Sequence, residues 1–325
     1  MSSMPNTNNR KEYDPKFTRF HDLMQYRVRE ILLVATPYDS FVLSEDGHLS
    51  DKIFSEYLDL NLQFVPRIAH ASSAEEAFKA LKSRTYDLVI TMPRISDMSP
   101  LEFSRRVKAE YPEKPVVMLT YETLDEDTLD AIRESKSIDR VFVWSGNSQI
   151  LLAIIKYVED RGNVEEDSKQ GVQVILVVDD SPAYYSQFLP LIYTEIMKQT
   201  RYLISHAVND FHRLLRMRAR PKILLAESYE EAMEFINRYK NNMLGIISDV
   251  GFLRDGSVDG EAGLLLAAAV REQSPDIPIL LQSRETKNIE KARQLGMSCL
   301  DKNSPNLLKD LRNYILDSYN FGEFV

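Results

Sequence analysis

Short apolar runs alternate along the chain with longer segments whose apolar residues recur at three- and four-residue spacing. ILLVA (31–35), RIAHA (67–71), DLVITM (87–92), PVVMLT (115–120) and RVFVW (140–144) have the length and continuity of strands buried on both faces. Helical segments are predicted between and after them, starting at Ser73, at Ser99, near 125 and at Ser148. RGNVEEDSKQG (161–171) is polar, shows no apolar period and reads as a linker, after which VILVV (174–178) restarts the pattern. Strands separated by helices indicate βαβ units and a parallel sheet. Ahead of the first strand, residues 1–14 are polar and rich in Ser and Asn. Phe17, Phe20, Leu23 and Met24 then suggest a short amphipathic helix reaching Arg29.

The pattern occurs twice. PRIAHASSAEEAFKAL (66–81) and PKILLAESYEEAMEFI (221–236) agree at seven of sixteen ungapped positions, including Pro66/Pro221, Ile68/Ile223 and Ser73/Ser228. YPEKPVVMLTYE (111–122) parallels SPDIPILLQSRE (274–285). A period near 150 residues, with five strand candidates in each copy, is a domain duplication and far exceeds the roughly 20–50 residues of a solenoid repeat. The chain therefore divides into a tail and short helix (1–29), a first domain (30–160), a linker (161–172) and a second domain (173–325). The second copy is longer before its second strand and after its third.

Composition narrows the function classes. At roughly 150 residues per domain, 325 residues make about two domains. With 44% hydrophobic and 27% charged residues the mix is that of a folded chain. The net charge of −9 argues against general nucleic-acid binding. One cysteine, Cys299, excludes a disulfide framework and a multi-Cys zinc site. No apolar stretch is long enough to span a bilayer, and the N-terminus lacks the apolar core of a signal peptide, so a cytoplasmic protein without membrane contact is expected.

In the second copy the predicted strands end in chemistry. Asp179 and Asp180 follow the first strand, Asp249 ends the third, Ser283 the fourth, and Lys302 the fifth. In a doubly wound parallel sheet the carboxyl ends of the strands form the ligand crevice, so these distant residues would converge. Three carboxylates in one cleft repel each other, and a hard divalent cation such as Mg²⁺ relieves that. A carboxylate so placed can attack a phosphoryl donor, and a hydroxyl and an ammonium can hold the new oxygens. Singly, each residue has a plainer role as an N-cap, a turn residue or a solvated lysine. Their joint occurrence at four strand ends is what points to a site.

VILVVDDSP, IISD, ILLQS and CLDK resemble the four active-site segments of bacterial response-regulator receiver domains. The resemblance implies two flavodoxin-like (βα)₅ domains in tandem, α/β and doubly wound, acting in two-component or phosphorelay signalling rather than as an enzyme. It implies Asp249 as phospho-acceptor, Asp179, Asp180, Asp249 and the Gly251 carbonyl as Mg²⁺ ligands, Ser283 as the switch hydroxyl and Lys302 as the phosphate-bound lysine. In the first copy, where MPRISDMSPLEF resembles the loop after the acceptor strand, the matching positions hold Ala35, Thr36, Met92 and Trp144, and only Thr120 is kept. That copy reads as a pseudo-receiver, with Trp144 packed over the dead site. The pair in tandem, with ATPYDSF, FVWSG and LDKNSP, is also similar to the N-terminal region of phosphoenolpyruvate synthase-like proteins. The partners implied are a sensor histidine kinase or phosphotransfer protein, an unidentified output partner, and a second copy of the chain in a homodimer. The competing readings are a docking or dimerisation module without phosphorylation, and the regulatory part of a phosphoenolpyruvate synthase-like enzyme.

The second copy departs from that family at three places. Arg284 follows Ser283 where a small residue is usual, which suggests a cation able to swing toward a phosphorylated Asp249. Cys299 stands where an aromatic switch residue is usual. VGFLRDGSVDGE after Asp249 is long and carries Asp255, Gly256 and Asp259, but lacks the alternating ligand series of a calcium loop. Tyr184, Phe188, Ile192 and Ile196 form a helical stripe. The basic stretch 206–222, with Arg213, Arg216, Arg218, Arg220 and Lys222, reads as the solvated end of that helix, and His206 and His212 as ordinary surface residues.

Overall fold

The computed structural model describes residues 23–45, 55–57, 60, 65–204 and 220–319. In the first unit, β1 (Glu30–Val34), α1 (Pro37–Glu45), β2 (Arg67–Ala71), α2 (Ala74–Ser83), β3 (Leu88–Thr91), α3 (Pro100–Glu110), β4 (Val116–Thr120), α4 (Glu126–Ser135), β5 (Arg140–Val143) and α5 (Gln149–Lys169) follow one another. The second unit runs through β6 (Val174–Val178), α6 (Pro182–Ile204), β7 (Lys222–Ala226), α7 (Tyr229–Arg238), β8 (Met243–Asp249), β9 (Phe252–Arg254), β10 (Ser257–Asp259), α8 (Ala262–Gln273), β11 (Ile279–Ser283), α9 (Thr286–Gln294), β12 (Ser298–Asp301) and α10 (Leu307–Ser318).

Each unit contains a five-stranded sheet, in the orders β2-β1-β3-β4-β5 and β7-β6-β8-β11-β12. All pairings within them are parallel, and numbered from its own first strand each sheet reads 2-1-3-4-5, a doubly wound α/β arrangement. Side chains alternate across the sheets. Ile31 and Leu33 of β1 face one core while Leu32 and Val34 face the other, and Ile175 and Val177 of β6 oppose Val174, Leu176 and Val178 in the same way. Helix starts repeat between the units. Ser73 and Ser228 accept hydrogen bonds from the amides of Glu76 and Glu231, and those glutamates accept from the amides of Ser72 and Glu227. The shared SxxE pattern is thus a local device for starting the helix after the second strand.

The units share one core. Residues 150–158 of α5 are buried on all sides, and α5 packs against α6 and β7 of the second unit. The apolar cluster around it takes in Ile31, Leu33 and Phe142 of the first unit and Ile175, Phe188, Ile192 and Ile196 of the second. The expected stripe of α6 is therefore a core face, and the helix runs on through Pro190.

Three expectations are corrected. First, the linker expected at 161–172 is helix as far as Lys169. Its inward positions, Asp160, Asn163, Val164 and Asp167, keep i, i+3, i+4, i+7 spacing, but three of the four are polar, so no apolar period was visible. Second, Leu23–Arg29 is not helical and lies along α5 as a strap. The amides of Met24, Tyr26 and Val28 donate to Asp167, Asn163 and Glu159, which replaces a helix's internal bonds with bonds to a neighbour's side chains. Phe17 and Phe20 lie outside the described residues. Third, Arg220 and Lys222 are buried rather than solvated: Arg220 forms a bidentate pair with Asp160 at 2.7 and 2.9 Å, and Lys222 pairs with Asp167 at 2.8 Å. His206, His212, Arg213, Arg216 and Arg218 lie outside the described residues.

Candidate functional site at the carboxyl edge of the second sheet

Register brings the strand ends level. Val178 stands opposite Ser248, Asp249 opposite Gln282, and Ser283 opposite Asp301. Gly263 at the start of α8 lets that helix approach the edge closely, since a Cβ there would sit 2.1 Å from the Asp249 carbonyl oxygen. Its amide donates to the Val250 carbonyl at 2.9 Å.

Lys302 sits at the centre of the site. Its Nζ donates to Asp249 Oδ2 at 2.6 Å and to Asp179 Oδ2 at 2.7 Å, and its side chain is 1% exposed. The remaining carboxylate oxygens are held by backbone: Asp249 Oδ1 accepts from the Val250 amide at 2.7 Å, and Asp179 Oδ1 from the Ser181 amide at 3.0 Å. Burial pulls the Lys302 ammonium down, but Asp179 and Asp249 outweigh it and leave its pKa above the ordinary lysine value. Burial pushes the Asp179 carboxyl up to about 6, with Lys302 opposing and Asp249 adding to the rise. Asp180 is pushed up to about 7 by burial, then by the charges of Asp179 and Asp249. Ser283 is buried and its hydroxyl accepts from the Glu285 amide at 3.1 Å. The Tyr184 ring covers Lys302, its centroid 4.1 Å from Nζ, and Arg284 lies against the same ring at 5.1 Å.

Asp179, Asp249 and Lys302 are thus joined by direct bonds, and Asp180 reaches them through charge. The contribution of Tyr184 was missed: read only as part of a helical stripe, it gave no sign that its ring would lie on the lysine. Arg284 rests on that ring in this structure. Cys299 is half-buried in β12, and burial pushes its thiol up to about 11. The segment after Asp249 is a β9–β10 hairpin, with Asp255 and Gly256 both at positive φ, as a tight two-residue turn requires. Asp259 pairs with Arg254 at 3.0 Å, so Asp–Gly here marks a turn and not a calcium loop.

Among the described residues no group of three or more His, Cys, Asp or Glu side chains forms a ready metal cluster. Within the expected Mg²⁺ set, the Lys302 ammonium bridges Asp179 and Asp249.

The first unit presents the same edge with different side chains. The amides of Ala35 and Asp179 donate to Ala71 and Ala226, and those of Trp144 and Lys302 to Thr120 and Ser283. Thr91 and Ser248 hydroxyls donate to the carbonyls of Met92 and Asp249. Thr120 Oγ1 accepts from Glu122, as Ser283 does from Glu285. Position by position, Ala35 stands for Asp179, Met92 for Asp249 and Trp144 for Lys302. Ala35, Met92 and Trp144 are buried in one apolar cluster with Leu43 and Tyr57.

No helix among the described residues is long and apolar enough to cross a membrane. The family model for the response regulator receiver domain matches residues 41–140, which include Met92 and Thr120 but none of the second sheet. No curated protein matches the chain. A two-component response regulator from Clostridium difficile is similar at 21% identity over 42% of this chain and 98% of its own, with a TM-score of 0.33. The receiver domain of a sensor histidine kinase from Pseudomonas aeruginosa PAO1, with a magnesium ion in its active-site cleft, is similar at 16% identity over 41% of this chain and 98% of its own, TM-score 0.31. A two-component system response regulator/GGDEF domain protein is similar at 14% identity over 90% of this chain and 99% of its own, TM-score 0.34. Residues 41–140 thus match the response regulator receiver domain model, and the match does not extend to the second sheet.

Proposed function

We propose that residues 173–325 form a second receiver unit that accepts a phosphoryl group on Asp249 in a Mg²⁺-dependent reaction, and that residues 30–160 form a pseudo-receiver that cannot be phosphorylated. The observation that carries this reading is the buried Lys302 ammonium bonded to both Asp249 and Asp179 where three strands end. Bonds to Val250 and Lys302 fix the Asp249 carboxylate in place. An oxygen of that carboxylate attacks phosphorus in a phosphohistidine or a small acyl phosphate. The new O–P bond forms as the donor's N–P or O–P bond breaks, and the donor leaves with the electron pair. Lys302, and the Ser283 hydroxyl at the next strand end, are placed to hold the transferred oxygens.

The donor set suits a hard cation. Three carboxylates face one ammonium, and among the described residues the Asp180 side chain has neither hydrogen bond nor ion pair. Mg²⁺ keeps several waters and needs only one or two carboxylates, so a closed cage is not required. Held by Asp179, Asp180, Asp249 and the Gly251 carbonyl, it would supply charge neutralisation to the transferring group. A sensor histidine kinase or phosphotransfer protein is the matching donor. In the first unit Met92 and Trp144 offer neither nucleophile nor ammonium, which leaves that unit a regulatory or docking role.

The test is labelling of the full chain by acetyl phosphate, or trapping with beryllofluoride, in the presence of Mg²⁺. One phosphoryl group is expected; Asp249→Asn should abolish it and Met92→Ala leave it unchanged. Labelling that survives Asp249→Asn, or that maps to the first unit, would show the reading to be wrong.

A further inference from the structure

The segment that follows β6 carries the acid pair, and it is gripped by the other unit. Arg133, on α4 of the first unit, donates from Nη2 to the Asp180 carbonyl at 3.0 Å. Two residues of α6 complete the grip on β5: the Val143 amide donates to Ser186 Oγ at 2.9 Å, and the Tyr185 hydroxyl donates to the Val141 carbonyl. The Arg133 fork is itself held, with Nη1 2.9 Å from Asp130 and 3.7 Å from Glu126 of its own helix. Its side chain is 22% exposed, so the contact lies at a partly shielded seam.

The bond falls on one particular peptide plane. The Asp180 carbonyl and the Ser181 amide belong to the same planar unit, and the Ser181 amide donates to Asp179 Oδ1 at 3.0 Å. Arg133 thus holds one end of a plane whose other end holds Asp179. Rotation of that plane would break both bonds and release the Asp179 carboxylate oxygen that the Ser181 amide holds. In the first unit the corresponding Thr36 hydroxyl donates to Asp39 in the first turn of α1, a bond within its own unit.

We propose that Arg133 is a positioning residue for the second unit's acid pair, so that the first unit completes a cation and phosphoryl site to which it contributes no ligand. This rests on the function proposed above. A movement of α4 or β5, caused by a partner bound to the first unit, would then change how strongly the second unit holds Mg²⁺.

The test uses the full chain and Mg²⁺ itself as probe, followed by calorimetric titration and by the Mg²⁺-dependent rise in melting temperature. Arg133→Ala should raise the Mg²⁺ concentration for half-saturation about tenfold, the scale of one lost charge-assisted hydrogen bond. Arg133→Lys, which keeps a cationic donor, should recover most of the loss. At saturating Mg²⁺ the beryllofluoride-bound fraction should match the unmutated chain, because the reacting groups are intact. If Arg133→Ala does not fold, Arg133→Gln carries the same comparison. Unchanged half-saturation in a folded variant, or a loss that saturating Mg²⁺ does not restore, overturns the proposal. If the unmutated chain itself binds neither Mg²⁺ nor beryllofluoride, the proposed function has failed and not this inference alone.

Discussion

At the scale of single residues, the informative groups are two carboxyls held far from their ordinary state. Asp180 at about 7 and Asp179 at about 6 both lie above the usual 3.8. A carboxyl whose pKa is raised on folding binds its proton more tightly in the folded chain. Its contribution is fully retained below the unfolded value of 3.8, is lost progressively as pH rises from there to about 7, and is a constant penalty above that. Without divalent cation, Asp180→Asn is expected to stabilise the fold at pH 8, by on the order of 1–3 kcal/mol, with the gain shrinking below pH 7 and vanishing only near pH 4. Melting temperatures of both proteins in a chelator, taken across that range, check this; a pH-independent difference would contradict it. Saturating Mg²⁺ should reverse the trend, because a cation competes with protons for the same oxygens.

At the scale of elements, α5 is the unusual piece. Its second half turns Asp160, Asn163 and Asp167 toward the interior, and these bind Arg220, Tyr26 and Lys222 in turn. Asp160 is 0% exposed and also accepts from the Ile223 amide, so it locks β7 onto the helix. Removing one partner of such a pair leaves the other charge buried. Asp160→Ala should lower unfolding free energy by about 3–5 kcal/mol, whereas Asp160→Leu combined with Arg220→Met should recover most of that. Urea denaturation of the three chains decides it, and a single variant within about 0.5 kcal/mol of the original would show the pair to be dispensable. The same feature explains why 161–171 resisted reading: a helix whose buried face is polar carries no apolar period.

At the scale of the whole molecule, the two sheets share α5, α6 and one apolar cluster, and Arg140 of the first unit pairs with Glu231 of the second at 2.5 Å. Two such units should unfold together. Trp144, the chain's single tryptophan, lies in the first unit, while beryllofluoride with Mg²⁺ is expected to bind the second. The unfolding transition followed by Trp144 fluorescence should coincide with that followed by circular dichroism. It should also move to higher denaturant when beryllofluoride and Mg²⁺ are present. A Trp144 transition that ignores the ligand would mean that the units unfold separately.

The strands were legible because parallel strands buried on both faces are written as continuous apolar runs, and the helix starts because Ser73, Ser99 and Ser228 cap locally. The alternation of strands and helices pointed to a parallel sheet, and with it to the convergence of Asp179, Asp249, Ser283 and Lys302, since doubly wound sheets place strand ends at one edge. The strand order itself comes from the structure. Contacts that depend on which surfaces meet were not legible. Nothing local tells that Leu23–Arg29 will take its hydrogen bonds from α5, that Arg220 will find Asp160, or that the Tyr184 ring will lie on Lys302. The contact between Arg133 and the Asp180 carbonyl is of the same kind. It joins residues 47 apart across a seam between two units, through a backbone atom that every residue possesses. Local pattern encodes which face of an element is buried; the partner that buries it emerges only when the elements pack.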